Sequence, residues 1–301
     1  MDSVVILYKI TAMNRKTNNN ILVPTDFSDV ADNALTHAIT VAKAYGNEIT
    51  LLYILEEGIL GGLFSGSQSD VMRDAIQTKL ETKAKEIAAT NNIKVHALVD
   101  KGKVYKTIAS IANGDNFDSI IMGSNGASGL EQIVGSNASR TIQYAQVPVV
   151  VVKQNTATAH GYKKIVMPID LTIESRQKVE WAIHLGQKFN SEVHVVYTKS
   201  SDEYLQRKIA LNINLVNHQL KDSGLKHEVF AMEDGLLDNF ANEIMNYSNT
   251  VKADLILVMT HTEKGISEMI IGTLTQQLVN RSENIPVMCI HPHETGFTYD
   301  Y

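Results

Sequence analysis

Along the chain, stretches with hydrophobic residues at helical spacing alternate with short, nearly continuous hydrophobic runs. From Val30 to Tyr45 they fall three and four residues apart, which predicts an amphipathic helix that covers a sheet with one face. Gly46 and Asn47 end that helix. The next stretch, Ile49–Leu55, is a near-continuous apolar run, which is typical of a strand covered on both faces. Such strands belong mostly to parallel sheets.

The same alternation continues through the first half of the chain. Further helices are predicted at Asp70–Asn91 and Val104–Ala112, and further strands at Ile21–Asp26, Ile93–Val99, Ser119–Met122 and Val147–Val152. The glycine-rich stretch Glu56–Ser69 is either a mobile lid over a ligand or a variable connection at the sheet edge. Strands that alternate with helices in this way predict right-handed crossovers and an open, doubly wound parallel sheet.

The pattern then begins again, which indicates an internal duplication. IVMPID at Ile165–Asp170 matches ILVPTD at Ile21–Asp26, and IPVMCI repeats VPVVVV. A helix at Glu174–Phe189 and a strand at Val193–Tyr197 repeat their counterparts. We therefore expect two copies of one domain, at residues 20–154 and 161–293, with an extension at residues 1–19 and a tail at 294–301.

A glycine-rich stretch lies between the last two strands of the first copy. Ser119–Met122 runs into Gly123 and Gly126, and Gly135, Ser136 and Asn137 open the following helix. Glycines let backbone N–H groups approach an anion, and a helix N-terminus carries partial positive charge, so this arrangement suits a phosphate group. The spacing fits neither the dinucleotide fingerprint nor the P-loop, and glycines that only form a tight turn are the structural alternative.

These residues carry a resemblance to a known family. ILVPTDFS, GSNG, the later Gly-Ser and VPVVVV together resemble the universal stress protein family, whose pattern is Gly, two residues, Gly, nine residues, Gly, Ser/Thr. This chain has eight residues in the long gap. The resemblance implies two Rossmann-like, adenine nucleotide α-hydrolase-like domains, each an open five-stranded parallel sheet with helices on both faces. Some members hold ATP or another adenine nucleotide across the carboxyl edge of the sheet, and others hold none.

The resemblance also implies site residues in the first half. Pro24, Thr25 and Asp26 would lie at the ligand crevice, Ile54 against the adenine, and Met122 over the sugar. Gly123, Gly126, Gly135, Ser136 and Asn137 would contact the phosphates of ATP, with or without Mg²⁺, or of AMP. The alternatives are helix capping for Asp26 and Ser136, with Ser28 the better cap, and core packing for Ile54 and Met122.

The second half differs where the phosphates would bind. Aligned without a gap on Gly272 and Gly135, it has Thr260 and Glu263 in place of Gly123 and Gly126. A side chain at these places prevents close backbone approach, and Glu263 adds negative charge. This alignment predicts a degenerate second half that holds no triphosphate, and it gives both halves the same eight-residue gap.

Charge and cysteine content narrow the class of protein. The net charge of −6 argues against a nucleic-acid binder. A single cysteine, Cys289, excludes an internal disulfide and is consistent with a cytoplasmic protein. Because Cys289 lies in an apolar run, we expect it to be an inert buried thiol. We expect no signal peptide and no membrane span. His261, His291 and His293 are expected to be solvated rather than bound to metal.

Catalytic motifs are missing, so we assign no catalytic residue and no metal site. The chain has no nucleophile elbow, no HExxH and no P-loop lysine. The expected function is therefore an adenine-nucleotide-binding stress or signalling module. An interaction scaffold without nucleotide, or a carrier of another small ligand, is the first alternative, and a slow ATP hydrolase is the second. The resemblance also implies that the last strands of the two halves pair within the chain, and a homodimer is compatible with it.

Overall fold

The computed structural model describes residues 18–56, 66–114, 116–124, 135–154, 156, 161–233, 237–260 and 273–292. Its strands and helices alternate in both halves, as the hydrophobic pattern predicts. The first half contains β1 (Asn20–Pro24), α1 (Asp29–Tyr45), β2 (Glu48–Leu55), α2 (Gly66–Asn91), β3 (Val95–Lys101), α3 (Val104–Ala112), β4 (Ser119–Gly123), α4 (Ser136–Tyr144) and β5 (Val149–Val152). Most of the extension 1–19, most of the glycine-rich connection Glu56–Ser69 and the tail lie outside the described residues.

The second half repeats this order with one change. It contains β6 (Lys164–Pro168), a 3₁₀ turn (Glu174–Gln177), α5 (Lys178–Phe189), β7 (Glu192–Thr198), α6 (Glu203–Asp222), β8 (His227–Met232), α7 (Leu237–Val251), β9 (Leu255–Met259), α8 (Thr273–Arg281) and β10 (Val287–Ile290). The predicted helix at Glu174–Phe189 thus has a 3₁₀ first turn, whereas α1 is α-helical from Asp29 onward.

The ten strands of the described residues form one sheet in the order β3-β2-β1-β4-β5-β10-β9-β6-β7-β8. Pairing is parallel within each half, and β5 and β10 pair antiparallel, with Val151 opposite Val287 and Val149 opposite Cys289. Both the five-stranded parallel sheets and the pairing of the two last strands are as predicted. Since β1 lies between β2 and β4, the strand order reverses at the carboxyl ends of β1 and β4, where open α/β sheets bind ligands.

Helices cover both faces of the sheet. The core on one face includes Leu35 of α1 and Val179 of α5, and the core on the other face includes Ile142 of α4 and Leu278 of α8. On the first face the two halves also meet through a helix–helix contact. The ring of Tyr45 stacks on that of His184 at 4.9 Å, and the Tyr45 hydroxyl donates to the His184 carbonyl at 3.1 Å. The halves therefore contact each other through helices as well as through the sheet.

Strand register corrects the alignment of the two copies. The N–H of Ser124 donates to the carbonyl of Val152, the end of β5, at 2.8 Å, and the N–H of Thr260 donates to that of Ile290, the end of β10, at 2.9 Å. Thr260 is therefore the counterpart of Ser124, and Met259 is the counterpart of Gly123. The ungapped alignment is wrong by one residue here, because LILVM is buried along its whole length and carries no periodicity that fixes its register.

The same correction changes the gap between the glycines. Counted on from Thr260, the counterpart of Gly126 is Thr262 rather than Glu263, and nine residues separate Thr262 from Gly272. The second half thus has the spacing of the family pattern, and the eight-residue gap belongs to the first half alone. The prediction that both halves share the short gap is wrong.

Candidate functional site

The turn after β1 places Asp26 at the strand-order switch. The N–H of Thr25 donates to the Leu52 carbonyl at 2.8 Å, which extends the β1–β2 ladder past Pro24 and holds the buried Thr25 in place. The side chain of Asp26 is exposed and accepts from the N–H of Ser28 at 3.0 Å. Helix α1 is capped by Ser28, whose hydroxyl accepts from the N–H of Ala31. The cap is therefore Ser28 and not Asp26, which agrees with the preference for Ser28 in the sequence analysis.

Phe27 follows Asp26 with a backbone conformation that is rare for a non-glycine residue. Its φ is 63°, and its N–H donates to the Thr25 hydroxyl at 3.1 Å. Its ring stacks on Tyr53 at 5.3 Å and lies under the ammonium of Lys79, which is 3.9 Å from the ring centroid. Burial raises the pKa of Tyr53, and the nearby charges of Asp26 and Glu56 raise it further. Left-handed non-glycine residues of this kind cluster at functional turns.

Ile54 and Met122 lie on the same face of the sheet as α3 and α4. Both contact the core on that face, Met122 as a buried residue and Ile54 as a partly buried one. Ile54 lies near the end of β2 and Met122 near the end of β4, and these two strands flank β1. The structure thus brings Asp26, Ile54 and Met122 to one edge of the sheet.

Gly123 has a packing reason for being glycine. A Cβ atom on this residue would lie 2.7 Å from Cγ1 of Val30 and 3.3 Å from the Val30 carbonyl oxygen. The missing side chain lets the first turn of α1 pack against the end of β4. In the second half, where Met259 replaces Gly123, the equivalent turn is 3₁₀.

The N-terminus of α4 is tied to the end of β4. The N–H of Gly135 donates to the Ser124 carbonyl at 2.8 Å, and Gly135 itself is the N-cap, without a side-chain cap. Ser136 and Asn137 are exposed in the first turn, so Ser136 is not the cap that the sequence allowed. Backbone donors of this turn therefore lie at the carboxyl edge beside β1 and β4. Gly126 lies outside the described residues.

Arg140 was missed by sequence reasoning. It stands four residues after Ser136 and so on the same face of α4, and helical side chains lean toward the N-terminus. Its guanidinium lies 5.0 Å from the ring of Tyr105 on α3, and Tyr105 in turn contacts Tyr144 at 5.5 Å. Gln277 is the counterpart of Arg140 in the second half. The signal was a lone arginine one turn into a predicted phosphate-binding helix.

The equivalent turn of the second half contains a buried polar cluster. The Asp170 carboxylate accepts from the N–H of Thr172 at 2.8 Å and from its hydroxyl at 2.5 Å. The hydroxyl of Ser175 accepts from the Asp170 N–H at 3.1 Å and from the Lys178 ammonium at 3.0 Å. The Asn212 amide donates to the carbonyls of Asp170 and Thr172, at 2.9 and 3.2 Å. We call these five residues the Asp170 cluster.

Lys178 is the unusual member of the Asp170 cluster, since only 2% of its surface is exposed. Burial lowers the pKa of its ammonium to about 8, and the charge of Asp170 opposes that shift. Lysine is rarely buried unless it is paired with an opposite charge. The first half has no lysine at this place.

The C-terminal residues partly contradict the sequence. Cys289 is fully buried and burial raises its pKa, as expected of an inert thiol. His291 was expected to be solvated, but it is partly buried, its Nδ1 lies 2.7 Å from the Thr260 hydroxyl, and burial lowers its pKa. His261 and His293 lie outside the described residues. Over the described ranges, no three His, Cys, Asp or Glu side chains group as metal ligands, and no helix has the length and apolar character to cross a membrane.

Comparisons with known proteins identify the family. The family model for the universal stress protein family matches residues 17–153 and again residues 161–291. Universal stress protein MJ0531 of Methanocaldococcus jannaschii is 34% identical over 154 residues, which cover 50% of this chain and 90% of that protein. Universal stress protein Slr1230 of Synechocystis sp. is 24% identical over 294 residues, which cover 89% of this chain and 98% of that protein.

A solved structure agrees over nearly the whole length. The universal stress protein from Archaeoglobus fulgidus superimposes with a TM-score of 0.73 at 21% identity, over 92% of this chain and 97% of that chain. It shares the fold of the entire ten-stranded arrangement rather than of one half. The chain therefore belongs to the universal stress protein family, in the tandem form that carries two copies of the family's fold.

Proposed function

We propose that the first half binds an adenine nucleotide, with ATP as the first candidate, and that the protein is a nucleotide-responsive stress or signalling module of the cytoplasm. One observation carries the proposal. The carboxyl ends of β1, β2 and β4 and the N-terminus of α4 lie at one edge of the sheet, at the strand-order switch, so Asp26, Ile54 and Met122 share that edge with Gly135 and Ser136. Pro24, Thr25, Gly123, Gly126 and Asn137 complete the proposed site, within a domain spanning residues 20–154.

Each part of a nucleotide has a suitable neighbour in this arrangement. The exposed Asp26 carboxylate can accept from ribose hydroxyls, and the apolar side chains of Ile54 and Met122 suit the base and the sugar. The first turn of α4 offers N–H groups and the Ser136 hydroxyl to phosphate oxygens. The Arg140 guanidinium suits two phosphate oxygens at once and can turn from Tyr105 toward them.

One observation favours the alternative of an interaction scaffold without nucleotide. The space that Gly123 leaves open is filled by Val30, so this glycine is needed for helix packing whether or not a phosphate binds. The donors of α4 and the position of Asp26 do not depend on that glycine. We therefore keep nucleotide binding as the first proposal and the scaffold as the second.

Nucleotide content and affinity test the proposal together. The purified chain is heat-denatured and its supernatant analysed by chromatography, and Mg-ATP is titrated into the nucleotide-free protein by calorimetry. We expect Asp26→Asn to lose about tenfold or more in affinity, since charged hydrogen bonds contribute on the order of 1.5–3 kcal/mol. Asp29→Asn is the matched control, because Asp29 is an exposed acid in the first turn of α1. A wild type that neither carries nor binds adenine nucleotide would favour the scaffold.

A further inference from the structure

Three buried positions that are apolar in the first half are polar in the second. Ala31, Ala34 and Leu80 have Ser175, Lys178 and Asn212 as their counterparts, and all six are at most 5% exposed. The first two pairings are fixed by the β1–β2 and β6–β7 registers and by the left-handed residues that end both helices, Gly46 and Asn190. The third is fixed by the β2–β3 and β7–β8 registers and by the left-handed residues that follow both helices, Asn92 and Gly224. The second half therefore has a polar cluster beneath the loop that follows β6, where the first half is apolar.

The cluster has a charge that needs compensation. Moving an ammonium out of water costs several kcal/mol unless an opposite charge and hydrogen bonds replace the water. The Lys178 ammonium donates to the Ser175 hydroxyl at 3.0 Å, and the N–H of Asp170 donates to the same hydroxyl at 3.1 Å, so Asp170 is the acid close to the buried charge. The Asp170 carboxylate is partly buried, and its own loop already donates to it twice.

Asp170 is also held through its backbone. Its N–H donates to the same Ser175 hydroxyl that accepts from Lys178, and its carbonyl accepts from the Asn212 amide. Turning the carboxylate toward a ligand would break its two bonds from Thr172 and draw the negative charge away from the Lys178 ammonium. The counterpart, Asp26, follows a strand whose helix buries the methyl group of Ala34 in place of an ammonium.

We propose that Asp170 is the internal counter-ion of Lys178 and not a ligand of nucleotide, so that the Asp170 cluster locks the second crevice in a ligand-free form. The chain then binds one adenine nucleotide, in the first half only. This last statement rests on the proposed function, whereas the counter-ion role of Asp170 does not. The family spacing of the glycines in the second half is thus not sufficient for binding.

A double-mutant cycle on the full chain without nucleotide tests the counter-ion role. We expect Asp170→Asn to lower the thermal unfolding midpoint by about 5 °C or more, because it leaves a buried charge unpaired. In the Lys178→Met background the same substitution is expected to cost little, since no ammonium remains to be compensated. Asp26→Asn is the matched control and is expected to leave the midpoint nearly unchanged. An equal loss from Asp170→Asn in both backgrounds overturns the proposal.

Folding failure does not leave the test open. If Asp170→Asn alone does not fold, recovery of a cooperative transition in the double variant supports the counter-ion role, and continued failure contradicts it. The stoichiometry of ATP binding, measured by calorimetry, then tests whether the chain binds one nucleotide only. One site per chain, kept in the double variant, supports it, and two sites per chain overturn it. If no nucleotide binds at all, the proposed function fails, and the unfolding cycle still decides the role of Asp170.

Discussion

The ammonium of Lys153 donates to the carbonyl oxygen of Asn280 at 2.6 Å, so the residue after the last strand of the first half caps the last helix of the second. Asn280 lies one residue before the end of α8, where backbone carbonyls lack intrahelical donors and the helix dipole is negative. Burial lowers the pKa of Lys153, and the charge of Glu283 opposes the shift. The two halves are thereby joined by a charge-assisted contact beyond the β5–β10 ladder.

Replacing Lys153 by Met is expected to destabilise the chain by about 1–2 kcal/mol, because it leaves a helix-terminal carbonyl without its donor. Urea unfolding of the full chain measures the change. Lys106→Met, at an exposed position on α3, is the control and should lie within about 0.5 kcal/mol of the wild type. Equal effects of the two substitutions would show that the contact with Asn280 contributes nothing.

The buried Lys178 makes stability depend on pH in a defined direction. Its pKa in the folded chain is about 8, against 10.5 for the free side chain, so between these values the unfolded chain binds more protons. Relative to Lys178→Met, the wild type is therefore expected to gain stability as pH rises from about 8 to 10, by about 1 kcal/mol or more. Below pH 8 the ammonium is charged in both states and the difference should be constant. Parallel urea titrations at pH 7 and 9.5 check it, and a flat difference would contradict the burial of the charge.

Arg140 should matter for phosphates and not for the nucleoside. We expect Arg140→Gln, which introduces the residue that the second half has as Gln277, to weaken ATP binding by about tenfold. Adenosine binding should be unaffected, since the guanidinium is proposed to contact phosphate oxygens alone. Arg207→Gln removes another exposed arginine, on α6, which pairs with Glu203, and serves as the control. An equal loss for ATP and adenosine would place Arg140 elsewhere in the site.

Gly123 and Val30 should be coupled in stability. Gly123→Ala is expected to cost about 1–3 kcal/mol, because the new methyl group overlaps Cγ1 of Val30. In a Val30→Ala background the cost should fall by about half or more, since the nearest remaining contacts are 3.3 Å away. Unfolding of the four chains measures the cycle. Additive losses would mean that Gly123 is required for its backbone and not for packing against Val30.

Much of the fold follows from hydrophobic periodicity alone. Helix α1 is almost identical in its predicted and observed bounds, because an amphipathic stretch between a Ser cap and a left-handed Gly46 leaves little freedom. The duplication and the pairing of Val149–Val152 with Val287–Ile290 were also predictable, the first from repeated motifs and the second from the resemblance and the need to cover apolar edge strands. The third strand shifted by two residues, to Val95–Lys101, which is within the usual uncertainty of element ends.

The details of the site could be predicted less well from the sequence. A fully buried strand such as Leu255–Met259 looks the same in either register, so only its hydrogen bonds to β10 showed that Met259 replaces Gly123. The contact between Tyr105 and Arg140 joins two helices, and periodicity within one helix does not predict it. The Asp170 cluster was hidden because Lys178 and Asn212 follow charged and polar patterns that usually indicate a solvated helix face.

The antiparallel pairing of β5 and β10 has a consequence for how the two halves can act together. The strands of the first half run opposite to those of the second, so the carboxyl ends of the two sets lie on opposite edges of the common sheet. A molecule held at the first crevice is thus far from the second, and one small partner cannot span both. Communication between them would have to cross the seam between the halves, which includes the β5–β10 ladder, the packing of Tyr45 against His184 and Phe189, and the Lys153–Asn280 contact. Substitutions at these residues are therefore where any cooperative behaviour could be interrupted.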